Sequence, residues 1–205
     1  MRVQTARGDT ADRILDLAER LVQTRGFNGF SYADIASELG VTKASLHYHF
    51  STKAELGYRL INRYSEAFVQ SLAAIDASGA DTREKLRTYV SLYSQVLRDD
   101  RMCLCGMLAA DYATLPEPMK SAVTRFFEVN ETWLATVLEQ GRASGDLRFS
   151  GVPLDVARLL VGALEGAMLV ARSFGDLSRF QSISAWLLAD LQACDTLSGR
   201  IAIDT

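Results

Sequence analysis

Proline is scarce in this chain. The 205 residues hold three, beside fourteen glycines that fall mostly between runs of periodic apolar residues. Pro is the strongest helix breaker and Gly the next, so uninterrupted runs with helical spacing point to an all-α protein. Cysteine is as scarce: Cys103, Cys105 and Cys194. An odd set in a chain of this size is no disulfide framework, and a reducing cytosol is the expected compartment. No apolar run approaches the ~18 residues of a membrane span. The most apolar stretch, Val152 to Val170, is interrupted by Asp155, Arg158 and Glu165. The opening MRVQTARGDTADR has no apolar core and is no signal peptide. A soluble cytoplasmic protein is expected.

Catalytic motifs are missing too. There is no H-E-x-x-H, G-x-S-x-G, Walker loop or G-x-G-x-x-G, and the GALEG run at 162–166 is a helix-packing spacing rather than a phosphate loop. The two histidines, His47 and His49, sit in one short segment. A lone C-x-C at Cys103 and Cys105 is no zinc site. No enzyme activity, cofactor or metal is expected.

What is present is apolar residue in quantity, 48% of the chain, enough for one large domain or two small ones. The net charge of −3 is unevenly spread: residues 1–63 hold nine Lys/Arg and seven Asp/Glu, and residues 64–205 hold thirteen and eighteen. A mildly basic N-terminal part on an acidic body fits a local DNA contact rather than a generally basic protein.

In chain order, residues 1–9 are polar and Thr10 is a candidate cap. Ile14, Leu17, Ala18, Leu21 and Val22 repeat at i, i+3, i+4, i+7, i+8, one buried helical stripe. Gly26 stops that helix, and Phe27 and Phe30 are expected to plug the core beneath the loop. Ser31 with Asp34 makes a capping box, Gly40 a turn, and Thr42 the cap of a third helix. Stepping about 100° per residue sends Leu46 and Phe50 inward and Ala44, Ser45 and Tyr48 to the opposite face, with Lys43, His47 and His49 on the flanks. Thr52 and Glu55 form a second capping box, and Lys53 stands in the first turn, where a cation is unfavourable without an anion nearby. Further helices are expected from there to Asp76, from Asp81 or Thr82, over Cys103–Tyr112, Pro118–Ser144, Pro153–Arg172, and after Gly175 to Leu191.

The stretch from Ser31 to Leu56 is thus helix, tight turn, helix, then a capped third start. Ala44 and Ser45 are small enough to approach base edges, and Tyr48 reaches a base or a phosphate. Thr42, Lys43, His47, His49 and Lys53 are phosphate candidates. His49 has an alternative structural use, bonding a backbone carbonyl.

Phe30, Asp34-Ile35-Ala36, Leu39-Gly40-Val41, Leu46, Tyr48-His49-Phe50, Lys53 and Glu55-Leu56 together resemble the DNA-binding domain of the tetracycline-repressor (TetR/AcrR) family of bacterial regulators. Ile14, Leu17, Ala18 and Gly26-Phe27 fit as well. His47 departs from the pattern, which has Tyr there. The resemblance implies a DNA-binding domain at 1–58 and a regulatory, dimerising domain at 59–205. It also implies a double-stranded operator, a small and largely apolar effector, and a homodimer. Large adaptable groups on helices five to eight are then candidates for the effector pocket: Tyr93, Met102, Met107, Tyr112, Phe127, Trp133 and Met168. Glu165 orients a cationic or hydroxylated ligand, pairs with Arg158 or Arg172, or faces solvent. Leu159, Gly162, Ala163, Gly166 and Val170 on helix eight, with Ile183, Trp186 and Leu187 on helix nine, form the expected dimer face. A repressor is expected. The alternative is a thiol-sensing regulator acting through Cys103 or Cys105.

Overall fold

The computed structural model describes residues 3–191. Among these the chain forms nine α-helices and no strand: α1 Val3–Arg25, α2 Tyr32–Leu39, α3 Lys43–His49, α4 Lys53–Ala77, α5 Thr82–Arg98, α6 Leu104–Ala110, α7 Glu117–Ser144, α8 Pro153–Phe174 and α9 Leu177–Asp190. Short 3₁₀ turns stand at Phe27–Gly29 and Tyr112–Thr114. Cys194 lies outside the described residues. The all-α reading holds, with one shift at the front. The first helix begins at Val3 rather than at Thr10, because only Gly8 interrupts the early residues and one Gly costs a helix about 1 kcal/mol.

The chain forms two compact units. One comprises Met1–Gln70 with Asp99–Phe127, and the other Ser71–Arg98 with the chain from Glu128 onward. These are units of packing.

In the first unit the α1 stripe Ile14, Leu17, Ala18, Leu21 and Val22 is buried as its spacing requires. Gly26 ends α1 with φ +79°, a left-handed backbone that an L side chain resists. Phe27 and Phe30 are buried, with their rings edge to face at 6.1 Å. The segment after α5 closes on α1: the Met102 amide donates to the Gln23 carbonyl at 3.2 Å, and the Gln23 side chain is buried. Further along, α4 meets the start of α7 at Gly57. A Cβ there would lie 2.5 Å from Met119 Cε and 2.8 Å from the Phe27 ring, so only glycine fits without a shift.

In the second unit α8 and α9 pack on each other and both pack on α5. Leu86, Leu134, Leu138, Leu160, Leu164, Met168 and Phe180 form the core. Asp146 ties the loop after α7 to the start of α5, accepting from Thr82 Oγ1 at 3.1 Å and from Ser144 Oγ at 2.7 Å. Those bonds hold its carboxyl below the usual carboxylate range. A polar knot lies inside this apolar body. Tyr89 donates to Asn130 Oδ1 at 2.6 Å, Asn130 Nδ2 donates to the Tyr93 hydroxyl at 3.0 Å, and the two hydroxyls stand 3.0 Å apart. Trp133 stacks on Tyr89, and its indole N–H donates to Asp76 Oδ2 at 2.8 Å. Burial alone would raise the Asp76 pKa, but the bonds from Lys85 and Trp133 outweigh it and hold the carboxyl low.

Candidate nucleic-acid interface

The helix-turn-helix is assembled from local chemistry. Ser31 caps α2, its amide and hydroxyl both donating to Asp34 Oδ2 at 2.7 Å. These bonds hold the Asp34 carboxyl below its ordinary range. Gly40 closes α2 in the left-handed region, φ +67°, which turns the chain through Val41 into Thr42. Thr42 Oγ1 then accepts from the Ser45 amide at 3.1 Å and starts α3. At the far end of α3 the buried Tyr32 hydroxyl donates to the Phe50 carbonyl at 2.9 Å. Burial, with the Glu55 charge beyond it, pushes the Tyr32 phenol up to about 12, so it stays a donor. Leu46 and Phe50 are buried, and α3 is pinned by one face and by both ends.

The opposite face is turned outward. Thr42, Lys43, Ala44, His47 and Tyr48 are exposed, and Ser45 and His49 are half-buried. Tyr48 is 58% exposed despite its size, its ring edge to face with His49 at 5.3 Å. His47 Nδ1 lies 3.0 Å from the Ser51 carbonyl. A carbonyl only accepts, so Nδ1 carries the proton in this contact. The ring also lies 4.9 Å from that of Tyr32. His47 therefore joins the end of α3 to the turn before α4 while the residue stays exposed.

Two expected details come out differently. Glu55 reaches back to Ser51 rather than to Thr52, taking its amide at 3.0 Å and its hydroxyl at 2.6 Å, while Thr52 caps the Glu55 amide at 3.1 Å. Lys53 is half-buried, and its ammonium turns inward to the carbonyls of Phe27 and Phe30, over both phenyl rings. Burial lowers its pKa, against the charges of Asp111 and Asp34. This conformation spends two of its three donors inside the protein.

The eight candidate effector residues divide evenly between the units. Met102, Met107, Tyr112 and Phe127 belong to the first; Tyr93, Trp133, Glu165 and Met168 belong to the second. Tyr93 and Trp133 both touch Tyr89, while Met168 is wholly buried and Tyr112 is 44% exposed beside Lys120. Arg158 pairs with Asp155 and Glu131. A groove of about 410 Å³ runs between α5 and α9, lined by Val90, Ser94, Ser184, Leu188 and neighbours, and none of the eight lines it. The sequence reading missed Tyr89 and Asn130. Asn130 was visible as the polar residue interrupting the α7 stripe between Phe126 and Leu134.

On the dimer candidates, Leu159 is 64% exposed and Trp186 68%, with Val170 and Ile183 also open. A Cβ added at Gly162 or Gly166 meets nothing within 4 Å. Cys103 and Cys105 are both buried thiols. Cys103 caps α6, its Sγ accepting from the Gly106 amide at 3.5 Å, with the Tyr64 hydroxyl at 3.9 Å. Among the described residues no group of three or more His, Cys, Asp and Glu is placed to hold a metal ion, and no helix is long and apolar enough to cross a membrane.

A capped helix-turn-helix with a polar, small-residue face, in a chain that has a second helical unit, fits a DNA-binding regulator. The comparisons agree. The family described as "Bacterial regulatory proteins, tetR family" matches residues 14–57, and "Tetracyclin repressor-like, C-terminal domain" matches residues 82–186. The HTH-type transcriptional repressor NemR of Escherichia coli (strain K12) is 30% identical over 176 residues, 81% of this chain and 87% of that protein. A TetR-family regulator from Agrobacterium tumefaciens superposes with a TM-score of 0.88 at 33% identity, covering 91% of this chain and 100% of that one. The reduced form of Escherichia coli NemR gives a TM-score of 0.78 at 26% identity, over 92% of this chain and 100% of that one. The chain belongs to the TetR family of transcriptional regulators.

Proposed function

We propose that the protein is a cytoplasmic homodimeric repressor that binds a pseudo-palindromic operator and is released by a small, largely apolar effector. The observation that carries the reading is the outer face of α3, where Ala44, Ser45 and Tyr48 lie between the phosphate candidates Thr42, Lys43, His47 and His49. Residues 1–58 take the DNA-binding role and 59–205 the regulatory and dimerising one. Two recognition helices would read half-sites about one helical turn apart, ~34–36 Å. Lys53 serves this surface indirectly: with its ammonium turned inward, the phosphate role at the start of α4 passes to the backbone amides of that helix.

The open apolar face on α8 and α9 supports the dimer. Leu159, Val170, Ile183 and Trp186 project from two helices that already bury their other faces against α5. Paired with a twofold mate, they make a four-helix interface in which Gly162 and Gly166 allow close approach. Effector and operator would be reciprocally coupled, each weakening the other by one factor. The test is selection of duplexes from a random pool, followed by gel shift at moderate salt. A single dyad-symmetric sequence is expected; no enrichment would overturn the reading.

A second reading makes a thiol the sensor, and the geometry brings Cys103 forward: the Gly106 amide hydrogen and the Tyr64 hydroxyl are both directed at its Sγ. An alkylating electrophile should then release wild-type protein from the selected duplex and leave Cys103→Ser bound. Equal release of both would remove Cys103 from consideration.

A further inference from the structure

The six residues from Gly26 to Ser31 join α1 to α2, and the turn at Phe27–Phe30 within them is held by opposite charges on its two sides. Asp111, just past α6, sets Oδ2 2.7 Å from the Phe27 amide and 3.4 Å from the Asn28 amide. Lys53 gives its ammonium to the carbonyls of Phe27 and Phe30, with Nζ 4.5 Å and 4.2 Å from the two ring centroids. The N–H side of the turn thus meets a carboxylate and the C=O side an ammonium, the orientation in which both charges are favourable. The Asn28 side chain adds a bond to Thr114 Oγ1 at 2.8 Å. A Cβ on Gly26 would stand 3.0 Å from Asp111 Oδ2, so this glycine serves the contact as well as the backbone angle.

The turn leads directly into the cap of the recognition unit. Ser31 follows Phe30 and caps α2; Tyr32, the first residue of α2, bonds the Phe50 carbonyl at the end of α3; Lys53 is the first residue of α4. A displacement of the turn is therefore transmitted to both ends of the helix-turn-helix through a few short bonds. Asp111 is the acidic side chain outside residues 1–58 seen to grip that turn.

We propose that Asp111 is a positioning residue for operator binding. Opposed by Lys53, its carboxylate fixes the turn at Phe27–Phe30 and with it the tilt of α2 and α3, so that movement of α6 is felt at the recognition helix. This rests on the reading that the chain binds an operator, and it goes further by naming a contact through which the regulatory part holds the DNA-reading part.

The experiment uses the full chain and the duplex selected by the wild type. Asp111→Ala should bind that duplex about tenfold more weakly, the order expected for loss of one charge-assisted hydrogen bond. Asp111→Asn, which keeps an acceptor and loses the charge, should fall between the two. Both variants should discriminate less than the wild type against duplexes with one base pair inserted between the half-sites. Hydrogen exchange at the Phe27 and Asn28 amides should accelerate, with α8 and α9 unchanged. Wild-type affinity and spacing preference in Asp111→Asn would overturn the proposal, as would equal acceleration of exchange throughout the chain in both variants. If the wild type selects no duplex, the operator reading fails first; unaltered exchange at Phe27 and Asn28 would then refute the clamp independently.

Discussion

Removing the Trp186 ring should separate the proposed dimer without unfolding the protomer. A fully exposed Trp presents on the order of 250 Å², and Trp186 is 68% exposed, so about 170 Å² of it is available to a partner. At ~25 cal/mol per Å², covering half to all of that area is worth about 2–4 kcal/mol. The twofold axis places the ring in the interface twice, so Trp186→Ala removes about 4–8 kcal/mol from association, a weakening of at least 10³-fold in Kd. The protomer itself should be little affected, since exposed substitutions away from special features fall within about ±0.5 kcal/mol. Sedimentation velocity across a dilution series from ~10 nM to ~100 µM reads the dimer constant directly. Urea unfolding of the dissociated variant and helical circular dichroism check the fold. A Kd within threefold of the wild type would refute the assignment of this face to the dimer. So would dissociation accompanied by a collapse of protomer stability, because the ring would then be a core residue of the second unit.

Lys43→Ala should weaken binding to every duplex and lower the salt slope by about 2, one phosphate contact of ~0.9 in each protomer, whereas Tyr48→Phe or Ser45→Ala should alter base preference at fixed positions in a repeat selection. Unchanged selection by both would mean that the outward face of α3 is wrongly divided. Gly57→Ala sets a methyl group against Met119 and the Phe27 ring. Overpacking of ~1–3 kcal/mol is set against the ~1 kcal/mol gained in helix propensity, so urea unfolding should show a net loss of up to about 2 kcal/mol; a stabilised variant would show that Met119 can step aside.

The helical architecture was legible because its signals are local. The stripe from Ile14 to Val22, the Ser31–Asp34 box and the inward pair Leu46 and Phe50 each depend on residues within one or two turns of each other, and the structure keeps all of them. The outward residues of α3 could be named from the same periodicity, but periodicity does not show what a side chain will bond once folded. Lys53 is the clearest instance. Its position at the start of a helix marks a cation near a surface, and nothing in its neighbourhood reveals carbonyls that arrive from more than twenty residues away. Asp111 is further still from Phe27, 84 positions along the chain. The front of α1 misled for another reason: polar residues without an apolar stripe carry little signal, although nothing among them forbids a helix. Asn130 is intermediate, since its place on an apolar stripe marks it as bonded inside the body without saying to what. The contacts invisible in the sequence are thus the ones that join segments: Tyr89 to Asn130 and Trp133 to Asp76 in the second unit, and, in the first, Asp111 and Lys53 at the turn between α1 and α2. That is where a regulator of this kind must differ from an isolated helix-turn-helix. An isolated helix-turn-helix has no acid from residue 111 at its first turn; here that acid closes a contact across 84 positions of the chain.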